Sequence, residues 1–363
     1  MTYRHLLPHI GSLPHGQRNA ITDVAGVSVG HCTLDAGEVQ TGVTVVRPHG
    51  GDLFRDRVPA AAAVLNGFGK SVGLLQIEEL GVLETPIALT NTFSVAAVAT
   101  AQIRQCMAAN PETGRGLPTV NPLVFECNDG FLNDIQRMAV TEQHYLQACA
   151  QAGVEVAEGS VGAGRGMSSF GLKGGVGTAS RRVAAAGGGE HTVGALVLAN
   201  YGQLPQLIMA GQALGARLAA QHTQAAEPEK GSIILLVATD APLDARQLRR
   251  LALRAGAGLA RTGSVFGHGS GDIALAFSTA YTVPQQSSRP MPAVAMLHDG
   301  LIDPLFQAVA DGTEQAILHA LWQARAVTGR DGHHRPALAE LLRDWPAPSS
   351  SFPPPFPPSA GSP

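Results

Sequence analysis

The chain is short of aromatic residues, short of charge, and has no excess of either sign. Aromatics make up 5% and charged residues 15% of its 363 positions, with 25 Lys and Arg against 28 Asp and Glu. That balance leaves no field to attract nucleic acid or an anionic lipid surface, so neither is expected as a partner. Basic residues are scattered apart from Arg181-Arg182 and Arg249-Arg250, which read as solvated faces. The four cysteines, Cys32, Cys106, Cys127 and Cys149, include no CxxC pair. Their spacing offers neither a zinc knuckle nor a disulfide framework and suits reduced, mostly buried thiols. No apolar run is long enough to span a bilayer, and residues 1–18 lack the apolar centre of a signal peptide. A cytoplasmic protein is expected.

Cofactor motifs are also missing. Gly162-Ala163-Gly164-Arg165-Gly166-Met167 fails the dinucleotide fingerprint because Met167 stands where its third glycine belongs. Gly69-Lys70-Ser71 resembles the end of a phosphate loop, but Val64 occupies the position of the first Walker glycine. These glycines are read as permitting turns or letting backbone amides approach a small substrate. His5, His9, His15, His333 and His334 come without HExxH or a carboxylate at ligand spacing and read as surface histidines. No cofactor and no metal are expected.

What remains is an alternation of strand and helix. Residues 27–29, 43–46, 86–90, 192–200, 233–238 and 273–278 read as strands, as does 60–65, ending in a turn at Asn66-Gly67. Residues 92–107, 141–152 and 243–262 read as helices, 305–330 as mostly helix, with shorter helical stretches in 134–137 and 204–218. Without a repeated βαβ period, this order favours a layered α/β sandwich with helices outside over a barrel. Residues 219–230 are polar and read as an exposed connection. From Trp345 onward Pro and Ser dominate, and disorder is expected.

The exposed connection leads directly to Gly231-Ser232 and the run Ile233 to Ala238. A serine opening a buried strand gains a purpose if the bond before it is cut. It then carries both a hydroxyl nucleophile and an α-amine, whose pKa of roughly 7.7–8 suits a base. Ordinary turn chemistry is the other reading of Gly-Ser. Downstream, Gly269-Ser270-Gly271-Asp272 puts a hydroxyl and a carboxylate two apart at a loop-to-strand junction, positioned to share a face. A glycine turn with a capping aspartate is again the alternative.

Taken together, these segments resemble the DmpA-type peptidase family of L-aminopeptidase/D-esterases and β-peptidyl aminopeptidases. The resemblance runs in order over roughly residues 15 to 330. It takes in 21–31, Asn66-Gly67-Phe68-Gly69, Thr90-Asn91-Thr92, 126–134, 160–181, Asn200-Tyr201-Gly202, Gly231-Ser232 with 238–242, and the Ser270/Asp272 segment.

The resemblance implies a four-layer αββα sandwich of N-terminal-nucleophile type, also like that of the ornithine acetyltransferases. It implies a precursor that cuts itself between Gly231 and Ser232 into an α chain of residues 1–231 and a β chain of 232–344, with 345–363 as tail. Ser232 is then the nucleophile, supported by Ser270 and Asp272, with Asn200 helping to hold the oxyanion. The substrate is a small peptide, amino-acid amide or ester, and the αβ units form a homo-oligomer. The substrate's ammonium needs an anionic partner. Glu126 is the first choice and Asp134 the second, in a segment that also brings Asn128; a structural carboxylate bonded to turn amides is the other reading of Glu126. Some family members have a tyrosine where this chain has Asn128 and Phe131, so no tyrosine role is carried over. Some have glutamate at Asp272, and many have asparagine at His268, which is expected to face solvent. Two rival functions are an acyltransferase of ornithine-acetyltransferase type, disfavoured because that group uses threonine, and an unprocessed, non-catalytic scaffold.

Overall fold

The apolar run at 233–238 organises the molecule. The structure, a computed structural model, describes residues 7–185, 187–221 and 231–343. Of the connection expected at 219–230, residues 219–221 instead end a helix, Leu214–Gln221, and the remainder lies outside the described residues, as does the tail at 345–363. The frame comprises β1 (Ser28–Ala36), β2 (Val39–Arg47), β3 (Asp56–Gly67), β4 (Ile87–Asn91), β5 (Val124–Cys127), β6 (Gly175–Ala184), β7 (Glu190–Asn200), β8 (Ser232–Thr239) and β9 (Gly271–Ser278). The longer helices are α1 (Val95–Ala109), α2 (Glu142–Ala150), α3 (Ala245–Arg261) and α4 (Asp303–Trp322).

One sheet runs β1-β2-β4-β5. The other runs β3-β9-β8-β7-β6 and is extended at β3 by Val82–Leu83 and Val283–Pro284. Within the larger sheet β8 and β9 are parallel, and the other long pairings are antiparallel. Strands from before and after Gly231 therefore interleave in one sheet.

Every residue of β8 is buried, and strand alternation explains why the run is continuously apolar. Ile233, Leu235 and Val237 pack outward with Leu248, Leu251 and Ala255 of α3 and with Val309, Ala316 and Ile317 of α4. Ile234, Leu236 and Ala238 pack inward against Val46, Leu89 and Phe125 of the second sheet. On the far side Val98 and Ala101 of α1 and Tyr145 and Ala148 of α2 cover Val43, Val45, Ala88 and Val124. The layers are helix, sheet, sheet, helix, as expected.

Several element boundaries differ from the sequence reading. The turn expected at Asn66-Gly67 lies within β3, where these residues pair with Asp272 and Gly271. The helix expected at 92–107 opens as a 3-10 turn, Thr92–Ser94, because the Asn91 side chain accepts from Phe93 N and Ser94 N and delays the α-helix. The helical stretch expected at 134–137 is only a 3-10 turn, Ile135–Arg137. Within 204–218, a 3-10 turn at Leu204–Gln206 is separate from a helix at Leu214–Gln221. Helix α4 stops at Trp322, and Val327-Thr328 instead pairs with His334-Arg335.

Leu236 sits at the centre of the inter-sheet core with no exposure. Leu236→Ala is expected to lower stability by about 2–5 kcal/mol, read as a lower urea midpoint with an unchanged slope.

Candidate active site

The two neighbours of β8 bring the site together. On β7 the residue opposite Ser232 is Asn200, and on β9 it is Gly271. The Gly271 amide donates to Ser232 Oγ at 3.1 Å. The serine is 6% exposed, so its hydroxyl sits in a sheltered place. The glycine before it is required by space: a Cβ on Gly231 would lie 2.4 Å from the Asn200 carbonyl oxygen and 2.5 Å from Tyr201 Cα.

Asn200 is oriented without ambiguity. Ser168 N donates to its Oδ1 at 2.8 Å, and its Nδ2 donates to the Asn128 carbonyl at 3.0 Å. The amide oxygen and nitrogen are thereby identified, and one Nδ2 proton is left over. Ser270 Oγ donates to Asp272 Oδ1, and both residues are 1% exposed. The expected pairing of hydroxyl and acid is present, but the group meeting Ser232 Oγ is the amide of Gly271.

Glu126 joins this cluster through glycine contacts. A Cβ on Gly271 would meet Gly69 Cα at 2.9 Å, so the two backbones pass in close contact. Gly69 leads to Lys70, whose backbone amide donates to Glu126 Oε1 at 2.7 Å, while Thr92 Oγ1 donates to Oε2. Asn66 Nδ2 holds the facing loop by donating to the carbonyls of Gly267 at 2.8 Å and of Ser270. The carboxylates of Glu126, Asp272 and Asp129 lie near enough to Cys127 to add to the effect of burial, which pushes its thiol far up. A buried thiol in that surrounding is inert.

A family model described as peptidase family S58 matches residues 19–335. The chain belongs to peptidase family S58. Among its relatives is "Beta-peptidyl aminopeptidase BapA" of Sphingosinicella microcystinivorans, 40% identical over 341 residues, covering 88% of this chain and 85% of that one. Two solved structures are similar. The PH0078 protein of Pyrococcus horikoshii OT3 is 45% identical, with TM-score 0.88, covering 94% of this chain and 98% of the other. The L-aminopeptidase D-Ala-esterase/amidase of Ochrobactrum anthropi, described as a variant of the Ntn hydrolase fold, is 36% identical, with TM-score 0.84, covering 93% and 96%. This S58 chain is thus an aminopeptidase-family hydrolase with that fold.

Other expected residues of the S58 chain lie elsewhere or act differently. Asp134 does not join the Ser232 cluster: its carboxylate pairs with Arg137 Nε at 2.9 Å and its amide bonds to the Glu38 carbonyl. The Asn128 side chain folds back to accept from Gly130 N at 2.9 Å, so its contribution is the carbonyl that takes the Asn200 amide. Phe131 stacks on His333 with ring centres 4.6 Å apart, and the Arg335 guanidinium lies 3.6 Å from the Phe131 ring centre. His268 is exposed, its ring 6.2 Å from that of Phe68. Sequence reasoning missed Thr92, Lys70 and Ser168, which act through short-range hydrogen bonds that no spacing rule encodes. Among the described residues, no three His, Cys, Asp or Glu side chains gather into a metal-ligating group, and no helix is long and apolar enough to cross a membrane.

Beside the site, the Asp129 carboxyl accepts from Asn133 Nδ2 at 3.0 Å, and burial pushes its pKa up to about 7 from the ordinary carboxylate range. The native state therefore holds a proton that the unfolded chain has lost, between about pH 4 and pH 7. This group favours folding below that window, and the benefit disappears as pH rises through it. Asp129→Asn is expected to flatten the pH dependence of the melting temperature between pH 4 and 7 relative to wild type, roughly the window set by the two pKa values.

Proposed function

We propose that the protein is a self-processing serine aminopeptidase that releases the N-terminal residue of small peptides, amino-acid amides or esters. The observation that carries this reading is the setting of Ser232. Its hydroxyl meets the Gly271 amide at 3.1 Å, and the residue paired with it on the other side, Asn200, has an oriented amide with a proton to spare.

In the precursor, Ser232 Oγ attacks the Gly231 carbonyl carbon. The Gly231–Ser232 C–N bond breaks, the departing nitrogen takes up a proton, and water hydrolyses the resulting ester. The products are residues 1–231 and a chain whose first residue is Ser232. In turnover the α-amine of Ser232 accepts the proton of its own hydroxyl, the arrangement used by N-terminal nucleophiles. Oγ then attacks the substrate carbonyl, the leaving amine or alcohol departs, and water releases the acyl group. Ser270 and Asp272 orient the proton path. Asn200 Nδ2 and the Gly271 amide hold the oxyanion, each such donor being worth about 3–4 kcal/mol.

Glu126 receives the substrate's ammonium. It is 3% exposed and keeps both carboxylate oxygens fixed by Lys70 N and Thr92 Oγ1, which leaves acceptor lone pairs for a cation. The names of the relatives support a substrate with a free N-terminal amine next to the scissile amide or ester. Assembly into a homo-oligomer of αβ units belongs to the same reading.

On a denaturing gel, purified wild type is expected as two fragments, the second beginning Ser-Ile-Ile. Ser232→Ala is expected as one band with no hydrolysis of aminoacyl p-nitroanilides; retained hydrolysis would overturn the reading. Glu126→Gln is expected to undergo cleavage yet lose about ten- to hundredfold in kcat/KM, mainly through KM, the usual worth of a charge-assisted hydrogen bond.

A further inference from the structure

Lys173 is fully buried, and the glycine-rich segment from 162 to 175 folds around it. Its Nζ lies 2.8 Å from three carbonyl oxygens, those of Gly164, Met167 and Gly174. Three acceptors at that distance require three N–H donors, so the group there is the ammonium and not the amine. Burial and Arg165 push its pKa down and Asp129 pushes it up; the three carbonyl contacts decide its state. The segment closes this tightly because its glycines have no side chains. A Cβ on Gly164 would lie 2.6 Å from Val176 N, and one on Gly174 would lie 2.3 Å from the Ala199 carbonyl.

The Met167 carbonyl that Lys173 holds belongs to the same peptide unit as the Ser168 N–H. In a trans peptide these groups point in opposite directions. The Ser168 N–H donates to Asn200 Oδ1, and the Nδ2 of that same side-chain amide has one proton beyond the bond to the Asn128 carbonyl; Asn200 is the residue paired with Ser232 across the strands. The chain of groups is therefore continuous from ammonium to peptide to carboxamide. A short hairpin fixes its geometry: Ser168 pairs with Lys173 and Ser169 with Leu172, across a turn whose central residues, Phe170 and Gly171, have φ of 56° and 70°. Positive φ at the buried Phe170 is a strained choice for an aromatic residue, and it persists because Phe170 packs edge-on against Tyr201 at 5.0 Å.

We infer that Lys173 is a positioning residue for the oxyanion site: its ammonium, acting through the Met167–Ser168 peptide, polarises the Asn200 amide and strengthens its donation to the developing oxyanion. Hydrogen bonds in such a chain reinforce one another in a low-dielectric interior. The inference rests on the reading of Ser232 as nucleophile and Asn200 as oxyanion donor.

A double-mutant cycle on the cleaved enzyme tests it. Lys173→Met, close in length and uncharged, is expected to lower kcat about tenfold, a fraction of what losing a whole donor costs, with KM nearly unchanged. In an Asn200→Ala background the same substitution is expected to change kcat by less than about twofold, because the relay has lost its last member. An equal loss in both backgrounds would overturn the inference and leave Ser232 unaffected; activity that survives Ser232→Ala would instead overturn the underlying reading. Should Lys173→Met fail to fold, ¹⁵N NMR of wild type labelled at lysine reads the Nζ directly. Three attached protons at pH 8 support the relay, and two overturn it.

Discussion

Everything at the site depends on how strand β8 is paired. An antiparallel neighbour on one side and a parallel neighbour on the other bring three distant parts of the chain into one row, Asn200, Ser232 and Gly271. Backbone hydrogen bonding fixes that row, so the three residues and the Gly271 amide are set by ladder geometry, and the Asn200 side chain is then oriented by Ser168 N and the Asn128 carbonyl. The apolar layers on both faces of β8 hold the register, since a slip of one residue would exchange its inward and outward sets.

Glycine is how the chain brings the remaining parts close. Gly231 lies against the Asn200 carbonyl, Gly271 against Gly69, and Gly164 and Gly174 around the Lys173 ammonium. In each case a methyl group would collide with backbone atoms, so the freedom used is spatial rather than torsional. At Gly231 and Gly271, φ stays outside the left-handed region. The sequence reading credited the glycines with turns and substrate access, and at these four positions the structure shows close backbone packing. A chain built by such close contacts has little use for large aromatic side chains, which matches its composition.

Much of the fold was legible because its signals are local. Two-sided burial wrote the uninterrupted apolar stretch of β8, and α3 shows its inward face in Leu248, Leu251, Ala252, Ala255 and Leu259. Boundaries were less legible where a side chain intervenes, as when Asn91 caps a 3-10 turn before α1. Ser232 and the Ser270/Asp272 pair showed in local pattern, a serine opening an apolar strand and a hydroxyl two residues from an acid, whereas Asn200 and Glu126 followed only from ordered resemblance along the chain. Sharing a segment says nothing about partners: Glu126, the next-to-last residue of β5, is held by Lys70 N and Thr92 Oγ1, while Asp134 lies past a turn beside Arg137. Lys173 was invisible for a simpler reason. A lysine among glycines reads as a surface residue until its three carbonyl partners are known.

Chain ends usually fray, and a terminal amine is normally among the most mobile groups in a protein. Ser232 opens an interior strand hydrogen-bonded on both flanks and roofed by hydrocarbon. An end created there by proteolysis inherits the rigidity of the middle of a sheet. The base on such an end would have no entropy left to lose when a substrate arrives.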